Sequence, residues 1–292
     1  MMEDFQEYRP LLFSIAYRML GSATDAEDIV QDAYLRYLAT DKSQIHSLKA
    51  YLSQIVTRLS LDHLKSARVE REKYIGLWLP EPLLTNESDL PMNNKLELFE
   101  SISIAFLTML ERLSPQERAI FLLHEVFDYS HQEIAETLDL SVANCRQVFH
   151  RAKEHILKER PRFEPSREAQ EKLVSSFVTA CQEGDFATLT NILATDITAW
   201  SDGGGKTNAA RRPVVGQNHV LKLLFGLMSK NPAVYFTYGQ VNFSPAVFSW
   251  LEDTLINVTC FQVADGQIKN IYTIVNPDKL VYLQGQLKAQ QN

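Results

Sequence analysis

The sequence predicts a multidomain protein in which two all-helical domains precede an α+β domain. Within residues 5–71 and 95–160, apolar side chains recur at helical spacing, separated by residues typical of helix caps and turns. From Val234 onward, short strand-like runs replace that spacing, and Asp265-Gly266 between the last two runs is a strong hairpin signal. Tyr74–Asn94 contains prolines and has no periodicity, so it is predicted to link the two helical domains.

The first helical domain begins with an amphipathic helix predicted over Phe5–Leu20, which Gly21 ends. Thr24-Asp25-Ala26-Glu27 has the form of a capping box and opens a second helix. A polar loop over Asp41–Ser47 follows that helix. The longest helical pattern runs over Leu48–Arg71.

The second helix carries an acidic stripe opposite its apolar face. The stripe consists of Asp25, Glu27, Asp28, Gln31 and Asp32. The helix dipole accounts for acidic residues in a first turn, which covers Asp25–Asp28. Gln31 and Asp32 lie beyond that turn, so an interaction surface is the alternative explanation.

Basic residues gather in the second half of the third helix. They are Arg58, Lys65, Arg68, Arg71 and Lys73. A run of charges is usually a solvated helix face. Since His63 and other polar residues lie beside these charges, contact with phosphates is the alternative.

One segment of the linker, Leu77-Trp78-Leu79-Pro80-Glu81-Pro82, is too apolar to be expected in a fully solvated linker. An aromatic residue in a linker commonly docks on a domain surface. From the residues alone, a Trp78 that fills a hydrophobic gap is the preferred explanation. A further helix is predicted over Lys95–Leu113.

The stretch Ser114–Arg160 contains three helix starts. Ser114-Pro115-Gln116-Glu117 and Ser130-His131-Gln132-Glu133 are both capping boxes. A turn at Asp139-Leu140 leads to a third helix that Ser141 caps. A short helix, a tight turn and a helix rich in Arg, Gln, Asn and His favour a helix-turn-helix that reads DNA, with an ordinary corner between two helices as the alternative.

The last part of the chain combines helices and strands. Helices are predicted over Glu168–Gln182 and Asn218–Ser229, with a glycine-rich turn at Asp202–Lys206 between them. Strands are predicted over Val234–Phe243, Ala246–Leu251, Thr254–Val263 and Ile268–Val275. Helices first and a curved antiparallel sheet after them indicate an α+β domain.

Composition narrows the functional classes. The net charge of −7 argues against a protein that binds nucleic acid without a partner protein, through a broad basic face. No apolar run approaches the length of a membrane span, and the acidic Met1-Met2-Glu3-Asp4 predicts no signal peptide. Cys145, Cys181 and Cys260 are far apart without metal-ligand spacing, which predicts reduced thiols in a cytoplasmic protein with no metal and no cofactor.

Several motifs occur in an order typical of one protein family. Arg9-Pro10-Leu11-Leu12, Ala26–Asp32, Leu48–Leu52 and Asp62-His63-Leu64 resemble region 2 of the bacterial extracytoplasmic-function (ECF) RNA polymerase sigma factors. Leu113–Arg118 through Arg151-Ala152-Lys153 resembles their region 4. Trp78–Pro82, Asp202–Gly205 and Asn276–Leu280 resemble the subfamily with a fused SnoaL-like C-terminal domain, which has the cone-shaped fold of nuclear transport factor 2 and ketosteroid isomerase.

The resemblance implies sigma region 2 at residues 1–74, a linker at 75–95, sigma region 4 at 96–162 and a SnoaL-like domain at 166–292. It also implies core RNA polymerase and promoter DNA as partners, with the acidic stripe docking on the polymerase clamp helices. Candidate contacts to the −10 element are His46, Arg58, His63, Lys65, Arg68 and Arg71. Candidate contacts to the −35 element are Ser141, Asn144, Arg146, Gln147, His150, Arg151 and Lys153.

In the subfamily that this chain resembles, the C-terminal domain replaces a separate anti-sigma protein and contacts the linker and both sigma regions. The implied regulatory residues are Trp78, Pro80, Glu81, Pro82, Asp202, Gly203, Gly204, Asn276, Pro277, Asp278, Lys279 and Leu280. From the residues alone, ordinary turns are the preferred explanation of the Asp-Gly and Asn-Pro motifs.

Some alternatives remain from the sequence. Asp202, Asp253 and Asp265 are candidates for a general base in a ligand-binding or enzymatic C-terminal domain, but no His–Asp pair accompanies them, so no enzyme is expected. A stand-alone DNA-binding transcriptional regulator is the other alternative. Cys145, inside the predicted recognition helix, is expected to be a packing residue or a redox-sensitive contact.

Overall fold

The computed structural model describes residues 2–85, 102–157, 166–230 and 233–291. The chain forms two compact units. The helical unit comprises Met1–Lys73 and Leu107–Arg160, and the sheet unit comprises Tyr74–Phe106 and Pro161–Asn292. Among the described helices, none is long and apolar enough to cross a membrane.

The helical unit begins with α1 (Met2–Leu20), α2 (Ala23–Ala39), a 3-10 turn (Lys42–Gln44) and α3 (Leu48–Glu72). Their apolar stripes meet in a core that includes Leu12, Tyr17, Ile29 and Leu52. The cap of α2 differs from the prediction, because Ser22 rather than Thr24 accepts the backbone N–H of Asp25. Gly21 takes a positive φ of 66°, which ends α1 and starts α2 earlier than the capping-box pattern indicates.

The second part of the helical unit contains the C-terminal end of α4 (Ile104–Leu110), α5 (Pro115–Glu125), α6 (His131–Leu138) and α7 (Val142–Leu157). Both predicted capping boxes are confirmed, at Ser114 with Glu117 and at Ser130 with Glu133. Asp139 has a φ of 55°, the left-handed conformation expected of the turn before the third helix.

Within the described residues 102–113, the helix predicted over Lys95–Leu113 covers Ile104–Leu110. Its described part is α4, since residues 102–103 form a turn and α4 ends at Leu110. Residues 95–101 lie outside the described residues, as does the predicted domain limit at 95/96. The division between the two compact units falls within α4, between Phe106 and Leu107.

The sheet unit confirms the predicted α+β fold. Its elements are α8 (Arg167–Glu183), α9 (Phe186–Ile192), β1 (Leu193–Asp202), β2 (Val214–Val215), α10 (Gln217–Lys230), β3 (Tyr235–Val241), β4 (Ser244–Leu251), β5 (Thr254–Ala264), β6 (Gln267–Ile274) and α11 (Pro277–Gln291). The strands form one sheet in the order β2-β1-β6-β5-β4-β3. β1 runs parallel to β6, and the other neighbours are antiparallel.

Each face of the sheet carries its own apolar core. Phe177, Leu189 and Val220 of the helices α8–α10 pack with Phe261 and Ile271 on one face. The opposite face is covered by Leu79 of the linker, Ile104, and Leu280 and Leu283 of α11, which pack with residues such as Phe248 and Val258. The linker is therefore part of the core of the sheet unit.

The sequence pattern gives little indication of α11, which covers much of this second face. Its start has one local signal, because Asn276 Oδ1 accepts the N–H of Asp278 at 3.2 Å and Pro277 occupies the first helical position.

Candidate DNA-binding and regulatory sites

The third helix of the helix-turn-helix, α7, presents its polar residues to solvent. Cys145, Val148, Phe149, Ala152 and Ile156 are its buried face. The residues predicted to contact the −35 element lie elsewhere on the helix surface or at its cap: Ser141, Asn144, Arg146, Gln147, His150 and Arg151 are exposed, and Lys153 is half-buried. A helix with one apolar face on α5 and α6 and an open polar face has the form that a major-groove reader requires.

Lys153 forms an ion pair within the helical unit. Its Nζ lies 3.0 Å from Glu125 Oε2 and 5.4 Å from the centre of the Phe149 ring. A phosphate contact by Lys153 would have to compete with this ion pair.

Cys145 packs inside the helix-turn-helix. It is fully buried, and its Sγ lies 3.8 Å from Nδ1 of His131 at the start of α6. Burial raises the pKa of the Cys145 thiol, with a smaller opposing effect from Arg146. Since the thiolate is the reactive form, this geometry favours the packing interpretation over a redox-sensitive contact.

The acidic stripe on α2 divides into two parts. Asp25 lies 3.4 Å from His63 Nε2, and Glu27 forms an ion pair with Arg9. Asp28, Gln31 and Asp32 are exposed, and beside them Leu35 and Leu38 leave 55% and 51% of their surface open. The sequence indicates these two leucines only by their position off the apolar stripe. Exposed leucines beside acids are typical of a protein-binding surface.

The residues predicted to contact the −10 element differ in their surroundings. His46 is exposed, Lys65 pairs with Asp62 at 3.0 Å, and the side chains of Arg68 and Arg71 lie outside the described residues. Arg58 Nε donates to the carbonyl of Thr137 at 2.8 Å, at the C-terminal end of α6. A cation at a helix C-terminus interacts favourably with the helix dipole.

A buried arginine joins the two parts of the helical unit. Arg118 of α5 is 3% exposed and donates to the carbonyls of Met19 at 2.7 Å and Leu110 at 3.1 Å. Its Nη1 also lies 2.7 Å from Glu111 Oε1. The sequence places Arg118 directly after a capping box and gives no sign of this role.

In the sheet unit, Asp202 is the centre of a hydrogen-bond network that holds the linker. The carboxylate is fully buried at the end of β1. Oδ1 accepts from the Tyr74 hydroxyl at 2.6 Å and from the N–H of Gly204 at 3.1 Å. Oδ2 accepts from the N–H of Leu79 at 2.8 Å and from Lys279 Nζ at 2.7 Å. Four donors from three segments of the chain thus satisfy one carboxylate.

Lys279 connects α11 to the same network. Its ammonium also donates to the carbonyl of Leu79, and it lies 4.0 Å from the centre of the Trp78 ring and 5.1 Å from that of Tyr74. Asn276 Nδ2 donates to the Tyr74 hydroxyl at 2.9 Å. Burial and the neighbouring Asp202 raise the pKa of Tyr74 above its usual value.

The glycines after Asp202 allow the linker to approach closely. Gly204 has a φ of 57°, and a Cβ there would lie 2.7 Å from Cγ of Asn276 and 3.1 Å from the Tyr74 hydroxyl. A Cβ on Gly205, whose φ is 72°, would lie 3.0 Å from the Ile75 side chain. Both positions need glycine for their backbone conformation and for the space that it leaves.

The second half of the linker is held by its backbone. Leu83 exchanges two hydrogen bonds with Asn242, each of 2.9 Å, and Leu84 exchanges two with the side-chain amide of Gln286. Leu84 also forms a β-bridge with Val241 of the edge strand β3. The sequence does not single out Tyr74, Asn242 or Gln286, because their partners are distant in the chain.

The remaining predicted regulatory residues lie around this network. Pro80, Pro82 and Leu280 are buried, Glu81 is half-buried, and Gly203 is buried beside the network. Pro277 is exposed at the start of α11, and Asp278 pairs with Lys206.

The other acidic candidates are isolated. Asp253 is exposed between β4 and β5, and Asp265 is exposed in the β5–β6 hairpin. Among the described residues, no group of His, Cys, Asp and Glu is arranged to hold a metal ion.

Comparison with known proteins identifies the two helical segments. Residues 5–69 match the family model for Sigma-70 region 2, and residues 103–156 match the model for Sigma-70, region 4. The network around Asp202 lies outside both matches.

Whole-length relatives extend the similarity to the sheet unit. The chain is 32% identical to the ECF RNA polymerase sigma factor SigJ of Mycobacterium tuberculosis (strain ATCC 25618 / H37Rv), over 94% of this chain and 92% of the relative. It is also 32% identical to the probable ECF RNA polymerase sigma factor SigI of Mycobacterium tuberculosis (strain CDC 1551 / Oshkosh), over 97% and 96%. The crystal structure of Mycobacterium tuberculosis SigJ is similar with a TM-score of 0.78 at 31% identity, covering 97% of this chain and 99% of that one. The chain therefore belongs to the ECF RNA polymerase sigma factors and carries, after its two sigma regions, a C-terminal SnoaL-like α+β domain.

Proposed function

We propose that this sigma factor binds core RNA polymerase through the exposed part of α2 and recognises promoters through α3 and α7, while its C-terminal domain restrains it in cis. The network around Asp202 is the main support for restraint in cis, because it makes the linker between the two sigma regions part of the C-terminal domain.

The polymerase-binding surface in this proposal consists of Asp28, Gln31 and Asp32 with Leu35 and Leu38. All five are exposed on α2. Asp25 and Glu27 belong to the same stripe, but the contact of Asp25 with His63 and the ion pair of Glu27 with Arg9 give them a more structural role. Because polymerase supplies much of the DNA affinity, a net charge of −7 is compatible with promoter recognition. Because its proposed partners are RNA polymerase and promoter DNA, we infer that the protein acts in the cytoplasm.

The promoter-reading surface is the open side of α7. Arg146 and Gln147 are the candidates for base edges, since Arg and Gln form bidentate pairs with guanine and adenine in the major groove. Arg151 is the candidate for a phosphate. On α3, Arg58 is expected to exchange the Thr137 carbonyl for DNA when the sigma regions separate.

The restraint acts through the reach of the linker. A sigma factor that contacts the −35 and −10 elements together must hold its two regions a promoter spacer apart. Each extended residue spans at most about 3.5 Å, so residues fixed in the sheet unit are not available for that span. Tyr74–Thr85 is fixed at both ends, by Asp202 at Tyr74 and Leu79 and by Asn242 at Leu83.

We propose no catalytic role for Asp202. Its two oxygens accept four hydrogen bonds from the chain's own groups, and it pairs with Lys279. A general base needs a lone pair directed at a substrate.

The test is run-off transcription with core polymerase, from a promoter that the reconstituted holoenzyme selects from random DNA. We expect Asp202→Asn to raise output at equal protein concentration, because the linker is released. Asp196→Asn is the matched control, since Asp196 is also on β1 but is exposed and, among the described residues, forms an ion pair with Lys269. Equal output from wild type and both variants would refute restraint through this network. Failure to co-purify with core polymerase would instead indicate a stand-alone regulator.

A further inference from the structure

The environment of the Lys279 ammonium has the composition of a binding site for a small ammonium ion. A buried carboxylate oxygen of Asp202 lies 2.7 Å from Nζ, the carbonyl of Leu79 accepts a second hydrogen bond, and the Trp78 ring lies 4.0 Å away. The Tyr74 ring is 5.1 Å away. Carboxylate, carbonyl and two aromatic faces together are typical of sites that recognise ammonium groups.

This cage (Tyr74, Trp78, Leu79 and Asp202) is assembled from two segments. Tyr74, Trp78 and Leu79 belong to the linker, and Asp202 ends β1. Lys279 enters from a third segment, α11, and leaves only 7% of its side chain exposed. Therefore the cage is complete only while the linker is docked.

The cation has polar partners on two walls of the cage, Asp202 and Leu79. Without it, the buried carboxylate of Asp202 would lose the ion-pair partner that it has among the described residues, and the Leu79 carbonyl would lose the Lys279 donor. Leaving a buried charge unpaired is far more costly than removing a solvated ion pair. Leu79 is recognised at both of its peptide groups, the N–H by Asp202 and the carbonyl by Lys279, so its docking depends on both charges.

We propose that the cage is a binding site for a primary ammonium ion, that Lys279 is its built-in ligand, and that occupancy of this site holds the linker on the C-terminal domain. The proposal rests on the regulatory role proposed for the linker and names the interaction that controls it. Because the linker forms most of the cage, ammonium binding and linker docking are linked equilibria, and each stabilises the other by the same factor.

The linkage can be tested by chemical rescue. Lys279→Ala removes three carbons and the nitrogen beyond Cβ, which is the size of n-propylammonium. Hydrogen exchange at the amides of Leu79 and Leu83 reports docking, since both donate to the sheet unit in the docked linker. In full-length protein, we expect Lys279→Ala to exchange at least about tenfold faster at these amides than wild type. n-Propylammonium chloride at ten times its Kd should then slow the exchange by about tenfold.

Controls separate charge from bulk. Sodium chloride at equal ionic strength and 1-propanol, the uncharged analogue of the probe, should leave exchange in Lys279→Ala fast. Lys279→Met keeps an apolar stem without a charge and should also exchange fast, with no response to the probe because its side chain occupies the place of the Lys279 stem. Addition of Asp202→Asn to Lys279→Ala should abolish the rescue.

Several results would overturn the proposal. Wild-type protection in Lys279→Met would show that packing alone docks the linker, and that variant also decides the question should Lys279→Ala fail to fold. Equal rescue by 1-propanol would show that the cage does not select charge. Run-off transcription with the same variants is read separately: rescued exchange with unchanged output would sink the proposed regulation while leaving the ammonium site intact.

Discussion

The recognition helix α7 and the linker network around Asp202 use polar side chains in opposite ways. On α7, Asn144, Arg146 and Gln147 are exposed, and the helix is held by the apolar face beneath them. Around Asp202, each polar group has its partner within the chain, at 2.6–3.1 Å. The first arrangement leaves hydrogen-bonding capacity for a partner, whereas the second consumes it. DNA binding by α7 should therefore be separable from folding stability. In the network around Asp202, linker docking and folding stability should not be separable.

The largest expected effect is on α7. Arg146→Ala with Arg151→Ala should lower run-off transcription at least about thirtyfold, since each lost contact to DNA weakens promoter binding by about 1–3 kcal/mol. Co-purification with core polymerase should be unchanged, and the free energy of unfolding should move by less than about 0.5 kcal/mol because both side chains are exposed. Glu154→Ala, an exposed change on the same helix, is the control. A parallel loss of polymerase binding would contradict the role given to α7.

The next effect is on stability in the network. Asp202→Ala leaves the Lys279 ammonium buried without its carboxylate, so the sheet unit should lose about 3–5 kcal/mol in urea unfolding. Asp196→Ala removes an exposed ion pair on the same strand and should cost less than about 1 kcal/mol. Similar losses in the two variants would mean that the network is no more than a surface feature.

The sequence predicts a contact when the two hydrogen-bonded residues are close together in the chain, and misses it when they are far apart. The capping boxes at Ser114 and Ser130 involve residues three positions apart, and both are confirmed. Tyr74 and Asp202 are 128 positions apart, and Lys279 is 77 positions from Asp202, so no local pattern joins them. The resemblance singled out Asp202 and Lys279, but not Tyr74.

Errors in the predicted elements have the same origin. Thr24 has the local form of a cap, yet Ser22 takes that place because the preceding turn at Gly21 is fixed by the packing of α1 on α2. The role of Arg118 depends on the carbonyl of Met19, 99 positions away. The sequence of α11 shows no clear apolar periodicity, because the helix packs on the linker and the sheet through a few residues such as Leu280 and Leu283.

A smaller effect tests whether the glycines serve the linker. Gly204 and Gly266 both have positive φ, 57° and 74°, but only a Cβ at Gly204 would collide with neighbours. Gly266→Ala should cost the sheet unit about 1–2 kcal/mol from backbone conformation alone. Gly204→Ala should cost about 1 kcal/mol or more beyond that, because Asn276 and Tyr74 must shift. Equal costs in chemical denaturation would argue that Gly204 serves its turn and not the close approach of the linker.

The smallest effect concerns the thiol of Cys145. It is buried within the chain, like the polar groups around Asp202, although it belongs to the exposed recognition helix α7. Burial raises the pKa of Cys145, so the unfolded chain releases its proton at lower pH than the folded one. The stability that this thiol contributes is therefore complete below the unfolded pKa of about 8.5 and is lost as pH rises through the folded pKa. Iodoacetamide at pH 8, read by mass spectrometry of the Cys145 peptide, should label native protein at least about tenfold more slowly than urea-unfolded protein. Labelling at the unfolded rate would instead favour a redox-sensitive contact on the DNA-binding helix.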